Sequence, residues 1–399
     1  MAAALLTGCG AGSGGPGAGT GSLTTPTTPT APTTHTTPPT TSGSATTPTT
    51  TPAGTSTPAT TTLPTGWTEQ RLLAQLVMVG ADFSDAGTAA PSLAAGAGGV
   101  VFVGQPAAGT GPVLSAAMSA LVREAEVLPF MATDEEGGGV ARLANLTSPT
   151  LPWPRQVVEG GWTTAQLEST VARIAAEMRA LGMNMDLAPV LDTAAPDDPV
   201  DYESKRSFSA SGEVAAAYGK AFLDGLSAGG MIGAVKHFPG LGQASADTDL
   251  GAAADPPLSR MANDLVPFRQ AIAGGVRVVM MSNVTEPDWG PAPATLDPAA
   301  YRYLRSLGFD GVIITDSLGA GAVTAYGMSA AAAAVRAIES GADMAMLASP
   351  TQFAATMSGL EQAVATGRLS MGQVIRSVDR IVAVKNLLLP AGAQIAVPR

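Results

Sequence analysis

Cysteine and histidine are nearly missing from this chain. Cys9 is the only cysteine in 399 residues, which excludes an internal disulfide and any cysteine-rich zinc or iron–sulfur site. Of two histidines, His35 sits in a Thr/Pro tract and His237 stands alone in the remainder. That supply builds no multi-histidine metal site, so no metal is expected, and a catalytic His237 would have to work with carboxylates. Positive charge is also short. Lys and Arg total 21 against 32 Asp and Glu, a formal charge of −11. A nucleic-acid partner is therefore not expected, because phosphate binding needs a basic stripe. No charged side chain precedes Glu69. Charged residues make up only 13% of the chain and hydrophobic ones 45%, enough apolar material to bury a core.

What is present falls into three zones. Residues 1–9 read MAAALLTGC, and Leu6, Thr7 and Gly8 before Cys9 resemble the lipobox of bacterial lipoproteins. The resemblance implies lipid modification of Cys9 and a place on the outer face of the cytoplasmic membrane, or secretion. The run is too short to span a bilayer and lacks the positive start of a signal peptide. Either the native start lies further upstream or the match is accidental. Residues 10–66 form a Gly-rich, then Thr/Pro-rich tract with almost nothing apolar to bury. Such a tract favours extended, polyproline-like conformations and suits a tether. Its GAGSGGPGAG stretch is no phosphate loop, since no strand precedes it and no Lys follows.

The third zone, residues 67–399, alternates short apolar runs with amphipathic stretches. The runs are VMVG (77–80), GVVFV (99–103), PFMATD (129–134), MDLAPV (185–190), IGAVKHF (232–238), VRVVMMSN (276–283), GVIITD (311–316) and MAMLAS (344–349). They are apolar on successive residues, as strands buried on both faces should be. Between them, Leu167–Leu181, Glu213–Leu226 and Ala330–Ile338 repeat apolar residues at helical spacing. The stretch from Gln352 to Leu389 reads as two helices with a break near Gly367–Met371. About eight strands alternating with helices predict an α/β fold, a single-domain (β/α)₈ TIM barrel. A doubly wound open sheet is the runner-up, because periodicity does not report whether a sheet closes.

Nearly every apolar run ends on a polar residue: Asp134, Asp192, Lys236-His237, Asn283 and Asp316. In a barrel these positions share the C-terminal mouth, where active sites are assembled. Taken singly, each could merely cap a helix or turn; five converging on one end argue for a site. Carboxylates around one mouth with basic residues and no metal-ligand cluster suggest glycosidic chemistry, with no cofactor implied.

Several segments carry a specific resemblance. Lys236 to Gly242 (KHFPGLG) looks like the KHFPG-x-G segment of glycoside hydrolase family 3. Asp134 to Arg142 (DEEGGGVAR) is similar to that family's D-x-E-G-G-R-V-x-R segment, and Gly308 to Leu318 (GFDGVIITDSL) resembles its nucleophile segment. Asn184 to Asp192 and Arg206-Ser207-Phe208 also match, in the right order, within a resemblance covering about Leu72 to Leu388. With no room for the family's second domain, the chain resembles the single-domain branch of β-N-acetylglucosaminidases, often acting on cell-wall muropeptides. The resemblance implies a carbohydrate partner and Asp316 as a nucleophile forming a covalent glycosyl-enzyme. It assigns Asp134, Arg142, Arg206, Lys236 and His237 to sugar hydroxyls, with Asp192 a further candidate. No oligomeric state is implied.

Three departures stand out. Gly139 replaces the family's Arg after Gly-Gly, and Asn283 replaces a His after the sixth strand. The loop reads Asp247-Thr248-Asp249 where the branch carries an Asp-x-His acid/base pair on a mobile loop. A carboxylate is then the expected proton donor: Asp249 at the His position, supported by Asp247, in a loop that could fold over sugar as a lid. Mutual repulsion would keep one of the two protonated near neutral pH. Two rival functions remain open: a sugar-binding lipoprotein that has lost catalysis, and a β-glucosidase-like enzyme.

Overall fold

Eight parallel strands make one sheet in the computed structural model, which describes residues 66–196, 198 and 201–395. In chain order they are β1 (Val77–Asp82), β2 (Gly99–Val103) and β3 (Phe130–Thr133). After a small antiparallel hairpin, β4 (Glu135–Gly137) and β5 (Val140–Ala141), come β6 (Met185–Asp186), β7 (Ile232–Phe238), β8 (Val278–Met281), β9 (Val312–Thr315) and β10 (Ala345–Leu347). Each barrel strand pairs with the next, and β10 returns to β1 with Val77–Val79 opposite Ala345–Leu347. The last seam, β9 to β10, is joined by the Ile314–Met344 bridge and by Leu318 N–H donating to the Met346 carbonyl at 3.0 Å. The sheet therefore curls into a barrel, as the alternation of strands and helices predicts, and not into an open doubly wound sheet. Cys9 and the tract up to Thr65 lie outside the described residues.

The apolar runs become strands because both of their faces are covered. The runs at 99–103 and 232–238 coincide with β2 and β7. The run at 185–190 does not stay paired: β6 is two residues long, and contact resumes only at the isolated Val190–Lys236 bridge. Pro189 lies between and has no N–H to give the ladder. Around the barrel, helix Thr164–Ala180 starts on a capping box made by Thr163 and Gln166, which extends it upstream of the apolar periodicity. It packs closely on helix Gly212–Ala228. A Cβ at Gly225 would lie 2.8 Å from Val171 Cβ, so the small residue sets that approach. The break expected near Gly367–Met371 separates helices Phe353–Ala365 and Met371–Asn386, the second capped by Ser370.

At the opposite end from the mouth, the first and last helices are tied together. Lys385, fully buried, donates to Gln75 Oε1 at 2.8 Å and stands over the Phe130 ring. Asp343 accepts from Arg380 (3.0 Å) and Ser377 (2.7 Å) and pairs with Arg305. These polar contacts, centred on the buried Asp343 and Lys385, brace the barrel floor. Among the described residues no helix is long and apolar enough to cross a membrane.

Candidate active site

The mouth is built from the residue following β3 onward. Asp134 leaves the barrel wall, and the β4–β5 hairpin turns the chain back so that Glu135 and Glu136 are buried beneath it. The hairpin tip is glycine because Trp153 lies against it. A Cβ at Gly138, whose φ is +58°, would fall 2.1 Å from the indole, and one at Gly139 would fall 2.7 Å from it. The missing family Arg at Gly139 thus has a physical counterpart: the Trp153 ring occupies the space a side chain would need.

Glu136 is the hub of the charge network, a role the motif reading did not assign although the residue lies inside the quoted segment. Its carboxylate takes Arg206 through two bonds, Nε to Oε2 and Nη2 to Oε1, both 2.8 Å. It also lies 2.7 Å from Lys236 Nζ, which contacts Asp134 Oδ1 at 2.6 Å. Burial alone would raise the Glu136 carboxyl, but Arg206 and Lys236 outweigh it and hold the group far below the ordinary carboxylate range. Burial would likewise lower Lys236, yet Asp134 and Glu136 keep it firmly protonated. Asp134, Arg206 and Lys236 are therefore one cluster with fixed charges.

His237 belongs to the next wall. β7 shifts register between Val235 and Phe238, an irregularity of the kind that re-aims side chains at barrel rims. Asp192 holds the imidazole, with Nδ1 2.7 Å from Oδ2. Its other oxygen accepts the backbone N–H of His237 (3.0 Å) and of Leu241 (2.8 Å). Asp192 is fully buried with both oxygens occupied, so in this structure it stands behind His237 and orients it. Burial disfavours the charged ring, but Asp192 and then Asp316 outweigh it and raise the His237 pKa. With Nδ1 turned to Asp192, Nε2 is the nitrogen left for a ligand.

Asp316 follows β9 directly, its N–H bonded to the Met281 carbonyl at 2.9 Å and its Oδ1 accepting Ser317 N–H at 2.6 Å. Asn283, where the family has His, is buried between neighbours. It donates to the Ser317 carbonyl (2.8 Å) and accepts from the Thr295 hydroxyl (2.7 Å). Opposite lies the loop after β7. Asp247 Oδ1 accepts the Asp249 N–H at 2.8 Å. Asp249 is a solvent-accessible residue whose carboxyl stands among the charged groups of the mouth. Partial burial, with Asp316 and then Asp247 adding repulsion, pushes its carboxyl up to about 6. Arg206 and His237 also act on Asp249 and pull the other way, so all four groups share one electrostatic neighbourhood.

A deeper layer was not legible from motifs. Asp186 at the end of β6 accepts Glu135 N–H at 2.9 Å through Oδ1, while its buried Oδ2 has no partner. Burial raises it well above the usual range. Burial also pushes Glu135 up to about 7, although Leu143 N–H donates to it at 2.7 Å. Arg142 lies beside this pair, and its buried Nε has no hydrogen-bond partner. Under the loop after β7, Asp255 has both carboxyl oxygens buried without partners, next to Glu286 across the Ala254–Thr285 bridge. Among the described residues no group of three or more His, Cys, Asp and Glu is placed to hold a metal ion. A groove of about 590 Å³ lies elsewhere, between helices Gly212–Ala228 and Leu265–Ala273. Its charged lining is the exposed Lys220–Asp224 pair and Arg277, with no buried carboxyl facing it, so the chemistry is assigned to the mouth.

A barrel mouth with clustered carboxyls, one raised above the ordinary range, and with cations held among them, is that of a glycoside hydrolase. Residues 70–384 match the glycosyl hydrolase family 3 N-terminal domain, and the chain belongs to that family. It is 33% identical over 325 residues to the beta-hexosaminidase LpqI of Mycobacterium tuberculosis, spanning 79% of this chain and 82% of that protein. A beta-hexosaminidase of Xanthomonas campestris is 32% identical over 66% of this chain and 80% of its own length. Among solved structures, a family 3 glycosyl hydrolase from Mycobacterium smegmatis superimposes with a TM-score of 0.74 at 32% identity, covering 80% of this chain and 97% of that one. A β-N-acetylglucosaminidase from Paenibacillus sp. gives 0.74 at 29%, covering 83% and 65%.

Proposed function

We propose that this chain is an exo-acting β-N-acetylglucosaminidase that removes terminal N-acetylglucosamine from cell-wall glycans with retention. The observation that carries the reading is that Asp249 and Asp316 act on one another across the same mouth, which with partial burial raises the Asp249 carboxyl above the ordinary range. The sugar would sit against Asp134, Arg142, Arg206, Lys236 and His237, whose fixed charges bind hydroxyls in set directions. The Asp316 carboxylate attacks the anomeric carbon as Asp249 gives its proton to the departing glycosidic oxygen. The glycosyl–Asp316 ester is then cleaved by a water whose proton returns to Asp249. The relatives named as hexosaminidases support the choice of sugar. Leu6 to Cys9 and the uncharged tract that follows support a lipid-anchored enzyme at the outer membrane face, for which one acyl chain is marginal and two give stable anchoring.

The test is turnover by pure protein of nitrophenyl N-acetyl-β-glucosaminide against nitrophenyl β-glucoside. Preference for the first, a retained anomer by NMR of the early product, and loss of nearly all turnover in a folded Asp316→Ala support the reading. Preference for the glucoside would move the specificity to a β-glucosidase. Sugar binding without turnover would make the chain a binding protein.

A further inference from the structure

We infer that the turn at 320–322 is a latch that sets Asp249 against Asp316, with Gly321 as its positioning residue; this rests on Asp249 being the acid/base. Two backbone bonds form the latch. Gly321 N–H donates to the Asp249 carbonyl at 3.0 Å, and Ala322 N–H donates to the Thr248 carbonyl at 2.9 Å. The latch follows Asp316 by a short segment that is itself fixed, through Asp316 N–H on Met281 and Leu318 N–H on Met346. On its other side the loop is held by Asp247, whose carboxylate caps Asp249 and whose carbonyl accepts from Leu250 and Gly251, both at 3.2 Å. Asp249 is thus fastened from two directions, and one of them is the nucleophile's own chain segment.

Gly321 makes this approach possible. It begins the short helix Gly321–Ala325, where alanine would be the better helix former. Alanine is excluded by contact alone. A Cβ there would lie 2.4 Å from the Leu250 carbonyl carbon, 2.6 Å from Gly251 N and 2.7 Å from the Leu250 carbonyl oxygen. All three are backbone atoms, so the loop would have to back away and carry Asp249 with it. Proton donation depends on placement to a fraction of an ångström, and a misplacement of about 1 Å costs on the order of 100-fold.

The experiment compares Gly321→Ala and Asp249→Ala with the unaltered chain on two substrates. One is an N-acetylglucosaminyl disaccharide, whose leaving group needs protonation; the other is nitrophenyl N-acetyl-β-glucosaminide, whose leaving group needs little. The latch requires Gly321→Ala to lose on the order of 10- to 100-fold in kcat/KM on the disaccharide and far less on the aryl glycoside. Selective loss in Asp249→Ala but equal or no loss in Gly321→Ala would overturn the latch while leaving the acid/base assignment standing. Equal losses on both substrates in Asp249→Ala would overturn that assignment itself. Should Gly321→Ala fold poorly, hydrogen exchange on the unaltered chain decides. The amides of 321 and 322 must be protected, and rapid exchange there would refute the latch.

Discussion

Glu136 grips Arg206 with both carboxylate oxygens, at 2.8 Å each, in a geometry that only a planar guanidinium can satisfy. Because Lys236 leans on the same carboxylate, two cations that could face a sugar have their positions set by one buried anion. Glu136→Gln puts an amide N–H against a cation and leaves charge unbalanced inside the barrel. It should cost about 3–5 kcal/mol of stability, read as a lower urea midpoint, and depress kcat/KM as Arg206 and Lys236 move. The Glu136 pKa is held far down, so this contribution is present above the ordinary carboxylate range and persists well into acid. A Gln variant with unchanged midpoint and turnover would show that the hub is unimportant.

The alkaline limb of the pH profile follows from Asp249. Its carboxyl is raised to about 6, first by partial burial and then by Asp316 and Asp247. A general acid works only while protonated, so kcat/KM for a disaccharide should fall about tenfold per pH unit above that value. The nitrophenyl substrate should show a much weaker fall over the same range. Asp249→Asn should remove the limb on both. A disaccharide profile flat from about pH 5 to about pH 8 would assign proton donation to another group.

Asp255 gives a stability prediction with a definite sign. Burial, then the charges of Asp192, Asp264 and Glu286, raise its pKa well above the usual range. The folded state therefore holds a proton that the unfolded chain releases at about pH 4. Its contribution is full below that unfolded pKa and is lost as pH rises through the folded one. Asp255→Asn removes the titration. The variant should gain in Tm relative to the unaltered chain as pH rises from about 4 toward neutrality. A Tm difference that stays constant across this window would mean that Asp255 is not titrating in the fold.

Much of the architecture was readable because two-sided burial leaves a plain trace. The apolar runs GVVFV and IGAVKHF give β2 at 99–103 and β7 at 232–238 directly. The run at 185–190 misled by length, since apolar character does not report the N–H that Pro189 lacks. Asp134, Arg206, Lys236, His237 and Asp316 could be proposed from motif positions. The contact of Asp192 with His237 is not legible in the sequence, because a strand-end carboxylate looks the same whether it meets ligand or a neighbouring imidazole. Asp186 and Asp255 stood out by nothing in the sequence: their surroundings come from segments distant in the chain.

By itself the sequence determined the strands, the helices, the end of the barrel at which polar groups gather, and the departure at Asp247-Thr248-Asp249. These are local properties, set by which side chains alternate and which backbone groups each residue can offer. Closure of the sheet was decided in three dimensions, at the Ile314–Met344 bridge. So were the clasp of Glu136 on Arg206 and Lys236, the turning of Asp192 behind His237, and the fastening of Asp249 to Gly321. Protonation states depend on how many charges meet and how little water reaches them, and such meetings arise only when remote segments are folded together.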